Sequence, residues 1–205
     1  MLSSQGFDLW ADDYDKTVDL SDEEDSYPFA GYKKILNAIY NRILQASCKE
    51  VLDVGFGTGT LISKLYERGI SIYGQDFSER MIEIAQGKMP KAKLFKGDIS
   101  NGLVAGLLDQ KYDAIIATYS LHHLRDDEKI AFIKILLNQL KGGGTLYIGD
   151  VAFKTRKDHD LCMEKVGEAW DKDEFYFVVD ELREDFPSLE FEVASECAGL
   201  ISLKE

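Results

Sequence analysis

The stretch VLDVGFGTG, residues 51–59, decides how the rest of the chain is read. Apolar residues surround one carboxylate, Asp53, and glycines then recur at every second position, at Gly55, Gly57 and Gly59. Val51, Leu52 and Val54 suit a buried strand, and the following TGTLISKLYERG suits a helix that stops at Gly69. A structural strand-to-helix turn needs one such glycine, or two. Three let the backbone reach left-handed angles and let a ligand approach with no Cβ in its way. The helix that follows starts with unpaired N–H groups, so the turn suits an anionic group or a polar nucleoside.

The same alternation continues outward. ISIYGQD reads as a second strand, SERMIEIAQGK as a helix capped by Ser78, and AKLFKGD as a third strand. GLVAGLL is a short helix, YDAIIATYS a fourth strand, DDEKIAFIKILLNQLKGGG a helix ended by three glycines, and TLYIGDV a fifth strand. Ahead of the glycine turn, YKKILNAIYNRIL puts Ile35, Ile39 and Ile43 on one helical face. After Val151, DHDLCMEKVGEAW and VVDELREDF read as helices, and LEFEVASECAGLISLKE as a closing hairpin. Strands alternating with helices at this spacing predict an α/β fold. Its sheet is doubly wound, mostly parallel, seven-stranded and Rossmann-like, closed by a C-terminal antiparallel hairpin. No Gly-, Pro- or Ser-rich linker divides the chain, so one domain over residues 1–205 is expected, with its core at 49–151.

The composition excludes several functions. A formal net charge of −13 over 205 residues repels phosphate backbones, and the basic stretches KMPKAKLFK and KTRK are short. No nucleic-acid partner is expected. Cys48, Cys162 and Cys197 are far apart and odd in number, which argues against a disulfide framework or a zinc site. His122 and His123 are adjacent, so on a regular helix or strand they would point apart, and no metal is expected. The N-terminus MLSSQGFDLWADDYD lacks the basic and apolar regions of a signal peptide, and no run approaches the ~18 apolar residues of a membrane span. The expectation is a cytoplasmic protein with no membrane partner; its oligomeric state is not legible.

The glycine spacing narrows the ligand. A dinucleotide fold wants G-x-G-x-x-G, whereas Thr60 stands where its third glycine belongs. A P-loop wants G-x-x-x-x-G-K-[ST], whereas Ser63 and Lys64 come in the wrong order. A smaller, zwitterionic cofactor suits the turn better.

VLDVGFGTG resembles the first motif of class I S-adenosylmethionine-dependent methyltransferases, D-x-G-x-G-x-G. The resemblance extends in order through YGQDFS, FKGDIS, YDAIIATYSLHHL and LKGGGTLYIGD, covering about residues 49–151. It implies S-adenosylmethionine as cofactor and methyl transfer to a small molecule. It implies Asp76 as the ribose carboxylate, able to accept two hydrogen bonds from a vicinal diol, with Asp98 at the adenine amine and Ile99 over the ring. Asp53, Gly55, Phe56, Gly57, Thr58, Phe77, Met81 and Thr118 complete the implied cofactor site. WADDYDKTV, GYKKIL and LHHLRDDEK resemble small bacterial methyltransferases of the YrrT type. In that resemblance residues 1–46 supply a lid and helix, with Trp10 and Tyr14 over the cofactor and acceptor. Tyr119, His122 and His123 then line the acceptor side, with His122 and Tyr119 as the candidate catalytic residues. A histidine can take a proton from the acceptor, and tyrosine rings attract a sulfonium methyl by about 0.5–2 kcal/mol. The chain departs from the pattern where Phe186-Pro187 leads almost directly into the last strands. It also has TYSL where amide- and adenine-methylating relatives carry N-P-P-[YF]. Two alternatives stay open: a non-catalytic binder of S-adenosylmethionine or its demethylated product, and a nicotinamide oxidoreductase.

Overall fold

The computed structural model describes residues 27–204. Helix α1 (Tyr32–Gln45) precedes strand β1 (Glu50–Val54), and α2 (Thr60–Glu67), β2 (Ser71–Asp76), α3 (Glu79–Lys88) and β3 (Lys93–Lys96) follow. A short helix α4 (Ala105–Leu108), β4 (Tyr112–Thr118), α5 (Asp126–Leu137) and β5 (Leu140–Phe153) complete the core. The C-terminal part holds α6 (Arg156–Val166), β6 (Phe177–Val178), α7 (Val179–Leu182), β7 (Glu190–Val193) and β8 (Ala198–Lys204).

The main sheet runs β3-β2-β1-β4-β5-β8-β7, with β6 pairing the far end of β5. From β3 to β5 neighbouring strands are parallel, and β8 runs antiparallel between β5 and β7. The sheet is the expected one: mostly parallel, closed by an antiparallel hairpin. Strand order reverses between β1 and β4, so the carboxyl ends of these two strands open the crevice where such folds bind ligands.

Apolar residues cover both faces of the sheet. Ile35, Ile39 and Ile43 of α1 and Leu61, Ile62 and Leu65 of α2 pack on the face that carries Val51 and Ile116. Phe132, Ile133 and Leu136 of α5 pack on the face that carries Leu52 and Ile115. Adjacent strand residues therefore enter opposite cores, which is why β1 and β4 read as continuous apolar runs. Each fully buried isoleucine of α1 contributes about 1.5–3 kcal/mol of burial.

Two features differ from the sequence reading. The glycines at 142–144 do not end a helix: α5 stops at Leu137 and β5 begins at Leu140. Pairing with β4 slips there, from Tyr112↔Leu140 to Ala114↔Thr145. A Cβ on Gly144 would lie 2.9 Å from the Lys141 carbonyl and 3.0 Å from that of Asp113, so this irregular stretch of strand requires glycine. Strand β6 is two residues long, too short for any periodicity to announce it.

Candidate active site

The glycine turn sits at the carboxyl end of β1, and Gly55, Gly57 and Gly59 all take positive φ angles, 74°, 55° and 76°. Gly55 donates its N–H to the Gln75 carbonyl at 2.8 Å. A Cβ there would fall 2.4 Å from Cβ of Ser120, whose Oγ donates to the Val54 carbonyl at 2.9 Å. Gly55 thus lets the segment after β4 close against the turn. Gly57 is the opposite case, with no heavy atom of the described residues beyond its chain neighbours within 4 Å of where its Cβ would stand. Its N–H points to Asp76 Oδ2 at 2.9 Å.

Two carboxylates flank this turn. Asp76, buried at the end of β2, accepts from Gly57 N through Oδ2 and from Ser78 N through Oδ1, both at 2.9 Å. Asp53, on β1, is buried, and among the described residues its Oδ1 has no hydrogen-bond partner. Burial and the nearby Asp76 push its ionisation up to about 8. A buried carboxyl that lacks a partner is costly, so this arrangement calls for a cation or a donor to complete it.

The remaining implied cofactor residues lie on the turn itself or at or after the carboxyl ends of β2, β3 and β4. Ser78 caps α3 by accepting from Met81 N at 3.1 Å, which fixes the buried Met81. Phe77, just before Ser78, is half-buried. Thr58 is buried, its hydroxyl 3.2 Å from that of Thr60. Phe56 turns inward instead: its ring packs on Gly74, where a Cβ would lie 2.6 Å from Phe56 Cδ1, so it serves the core. Asp98 follows β3, exposed, and caps a short 3-10 turn by accepting from Ser100 N at 2.9 Å. Ile99 beside it is half-buried, and Thr118 ends β4 opposite Gly149. Trp10 and Tyr14 lie outside the described residues.

The segment after β4 carries the acceptor-side candidates. Tyr119 has φ 48°, unusual for a residue with a side chain, and its N–H is fixed by the Gly149 carbonyl at 2.8 Å. Its buried ring meets Phe29 and Tyr32, with centroids 5.1 and 5.4 Å away. His122 and His123 follow in a 3-10 turn, Leu121–His123. The expectation that they diverge is corrected here. The turn follows neither helical nor strand periodicity, and the two rings lie 4.2 Å apart, both directed toward Glu174.

His122 is buried and bonded through Nδ1 to Asp150 Oδ1 at 2.6 Å, with Nε2 3.5 Å from Glu174 Oε1. Burial opposes a charge on this ring, but the Asp150 and Glu174 carboxylates outweigh it and hold its ionisation above the usual histidine range. His123 Nδ1 lies 3.9 Å from the same Glu174 oxygen. Burial and the neighbouring His122 push its ionisation down to about 3, so its ring is neutral.

Sequence reasoning missed the residues that hold these histidines. Asp150 ends the motif IGD on β5, and a carboxylate near a core strand's carboxyl end is a signal that could have marked it. Glu174 lies in the acidic run DKDEF and carries no such signal. Its Oε2 accepts from the Tyr176 hydroxyl at 2.6 Å, and that hydroxyl also hydrogen-bonds Tyr27. Phe175 N donates to the His122 carbonyl at 2.8 Å, while the buried Lys129 donates to the Phe175 carbonyl at 2.5 Å and pairs with Asp126 at 2.9 Å. Lys129 and Phe175 therefore clamp the Glu174 segment against the histidine turn.

Comparison with known proteins agrees with this architecture. The family model described as a methyltransferase domain matches residues 51–144. An uncharacterized methyltransferase of Geobacillus sp. (strain WCH70) is 35% identical over 181 residues, covering 88% of this chain and 80% of that protein. One from Alkaliphilus oremlandii (strain OhILAs) is 30% identical over 183 residues, covering 89% of this chain and 81% of that one. Among solved structures, an S-adenosylmethionine-dependent methyltransferase from Clostridium acetobutylicum superimposes with a TM-score of 0.68 at 18% identity, covering 94% of this chain and 99% of that one. A DhpI–SAH complex gives 0.67 at 18% identity, covering 97% of this chain and 93% of that one. The fold is that of these S-adenosylmethionine-dependent methyltransferase structures. The chain belongs to this methyltransferase family, alongside the Geobacillus and Alkaliphilus proteins.

Proposed function

We propose that this protein transfers the methyl group of S-adenosylmethionine to a small-molecule acceptor lying beyond the carboxyl end of β4. The observation that carries this reading is Asp53. A buried carboxyl oxygen with no partner among the described residues, on the strand that leads into the glycine turn, suits the ammonium of a methionine moiety. Thr60 stands where a dinucleotide turn needs its third glycine, which weighs against a nicotinamide dinucleotide. S-adenosylmethionine supplies an electrophilic methyl on a sulfonium whose leaving group is neutral. The chain then has to hold donor and acceptor in line and keep water out. We assign the ammonium to Asp53, the ribose diol to Asp76 and the adenine edge to Asp98 and Ile99, with Gly55, Gly57, Thr58, Phe77, Met81 and Thr118 around them.

Tyr119, His122 and His123 form the acceptor side in this reading. Their place after β4, at the switch point of the sheet, supports it. A small acceptor is supported by the charge of −13, which disfavours nucleic acid. Among the described residues no helix is long and apolar enough to cross a membrane.

Titration calorimetry with S-adenosylmethionine, S-adenosylhomocysteine and NAD tests the cofactor half. Binding of both sulfur nucleosides and not of NAD is expected, and binding of NAD alone would overturn it. The acceptor half is tested by incubating protein with methyl-labelled donor and a cell extract split by ultrafiltration. Label should appear in the low-mass fraction; label confined to protein or nucleic acid would refute a small acceptor.

A further inference from the structure

The geometry points to a divalent transition-metal site, zinc in the first instance, formed by His122 Nε2, His123 Nδ1 and Glu174 Oε1. It stands on these three donors and does not depend on the identity of the methyl acceptor.

One ligand atom from each of His122, His123 and Glu174 lies within 4.8 Å of the other two. His122 Nε2 is 3.5 Å from Glu174 Oε1, and His123 Nδ1 is 3.9 Å from that oxygen. Zinc bonds of about 2.0–2.1 Å in a tetrahedral arrangement put neighbouring donors about 3.4 Å apart. The two histidine–carboxylate spacings, 3.5 and 3.9 Å, lie close to that value. Two imidazoles and one carboxylate are also a donor set that first-row divalent cations take, with a fourth position left for water or another ligand.

The surroundings are those of a supported metal site. Asp150 Oδ1 holds His122 Nδ1 at 2.6 Å, which directs Nε2 toward Glu174. A carboxylate behind a ligating histidine is the usual arrangement for fixing the ring and its tautomer. Glu174 is fixed in turn through Oε2 by the Tyr176 hydroxyl at 2.6 Å, which leaves Oε1 facing the two rings. The 3-10 turn at Leu121–His123 and the bond from Phe175 N to the His122 carbonyl bring the two segments together. The His123 and Glu174 side chains are 29% and 21% exposed, so a cation can reach them. His122 alone, between two carboxylates, would be satisfied by a proton. The convergence of His123 on the same oxygen is what a proton on His122 does not explain.

The test uses the full chain stripped with a chelator and titrated with Co(II) and with Zn(II). One equivalent should bind, Co(II) should give the visible absorption of a low-coordinate nitrogen–oxygen site, and Zn(II) should displace it. His123→Gln and Glu174→Gln should each weaken Zn(II) binding at least 10-fold, and Asp150→Asn, which removes no ligand, by about 10–100-fold. His123 is partly exposed, so His123→Gln is expected to keep the far-ultraviolet circular dichroism and the metal-free melting temperature. Absence of stoichiometric binding would overturn the assignment. So would full-affinity binding in a folded His123→Gln or Glu174→Gln protein, since the metal would then sit elsewhere.

Discussion

Replacing Asp53 by Asn should make the protein more stable while weakening its hold on the cofactor. In the unfolded chain this carboxyl ionises near 3.8, whereas in the folded chain burial and Asp76 hold it at about 8. The folded state therefore keeps a proton that the unfolded state releases, and stability falls as pH rises from 3.8 toward 8 and levels off above it. At about 1.4 kcal/mol per pH unit, the cost at pH 7 is about 4 kcal/mol, and at pH 5 about 2 kcal/mol. Asn is neutral throughout and escapes this penalty, but its amide needs partners in the same buried position, at a cost of about 1–3 kcal/mol. The balance favours Asp53→Asn by about 1–3 kcal/mol at pH 7, by more at pH 8, and is close to zero at pH 5. In a domain of this size each kcal/mol moves the melting temperature by about 2–4 °C. Scanning calorimetry of both proteins without cofactor, across this pH range, measures it. In the same variant, loss of a charged hydrogen bond to the ammonium should weaken S-adenosylmethionine binding by about 1.5–3 kcal/mol. A melting temperature lowered equally at pH 5 and pH 8, together with unchanged affinity, would refute both the buried-charge argument and the assignment of Asp53.

Other outcomes follow from the same geometry. Because Asp53 holds a proton below about 8, binding of a cationic ammonium should release it. Affinity for S-adenosylmethionine should then rise between pH 6 and 7.5, and calorimetric heats should depend on buffer ionisation enthalpy; pH-independent binding counts against the pairing. Asp76→Ala should weaken cofactor binding by about 1–3 kcal/mol and also destabilise the turn, because the N–H groups of Gly57 and Ser78 lose their acceptor; denaturant melts and titration separate the two effects. Gly149→Ala would drive a Cβ to 2.3 Å from Ile35 Cγ2 and should cost about 1–3 kcal/mol in urea unfolding, though Gly149 is outside the cofactor set. Lys129→Ala should cost a similar amount and raise hydrogen exchange at Phe175, since the bond to its carbonyl anchors that segment.

Much of the architecture was legible because it rests on local, repeated patterns. Apolar runs of strand length alternate with helices, so a mostly parallel, doubly wound sheet follows from few rules. Asp53, the glycines, Asp76 and Asp98 were legible for the same reason: each lies at the carboxyl end of a core strand. Where backbone packing overrides local pattern, the reading went astray. The glycines at 142–144 look like a helix stop but lie in an irregular strand, where only glycine at 144 fits against the Lys141 and Asp113 carbonyls. Phe56 sits inside the cofactor motif yet packs on Gly74.

The histidine turn separates what each level determined. The sequence by itself determined a methyltransferase sheet, a glycine turn, and two adjacent histidines just beyond the fourth strand. Only the tertiary structure decided that the two rings converge, that Asp150 lies behind one of them, and that Glu174, 51 positions beyond His123, faces both. The reason is physical. Local periodicity governs side-chain direction only where the backbone is regular, and a 3-10 turn clamped by Phe175 and Lys129 takes its direction from contacts distant in the chain.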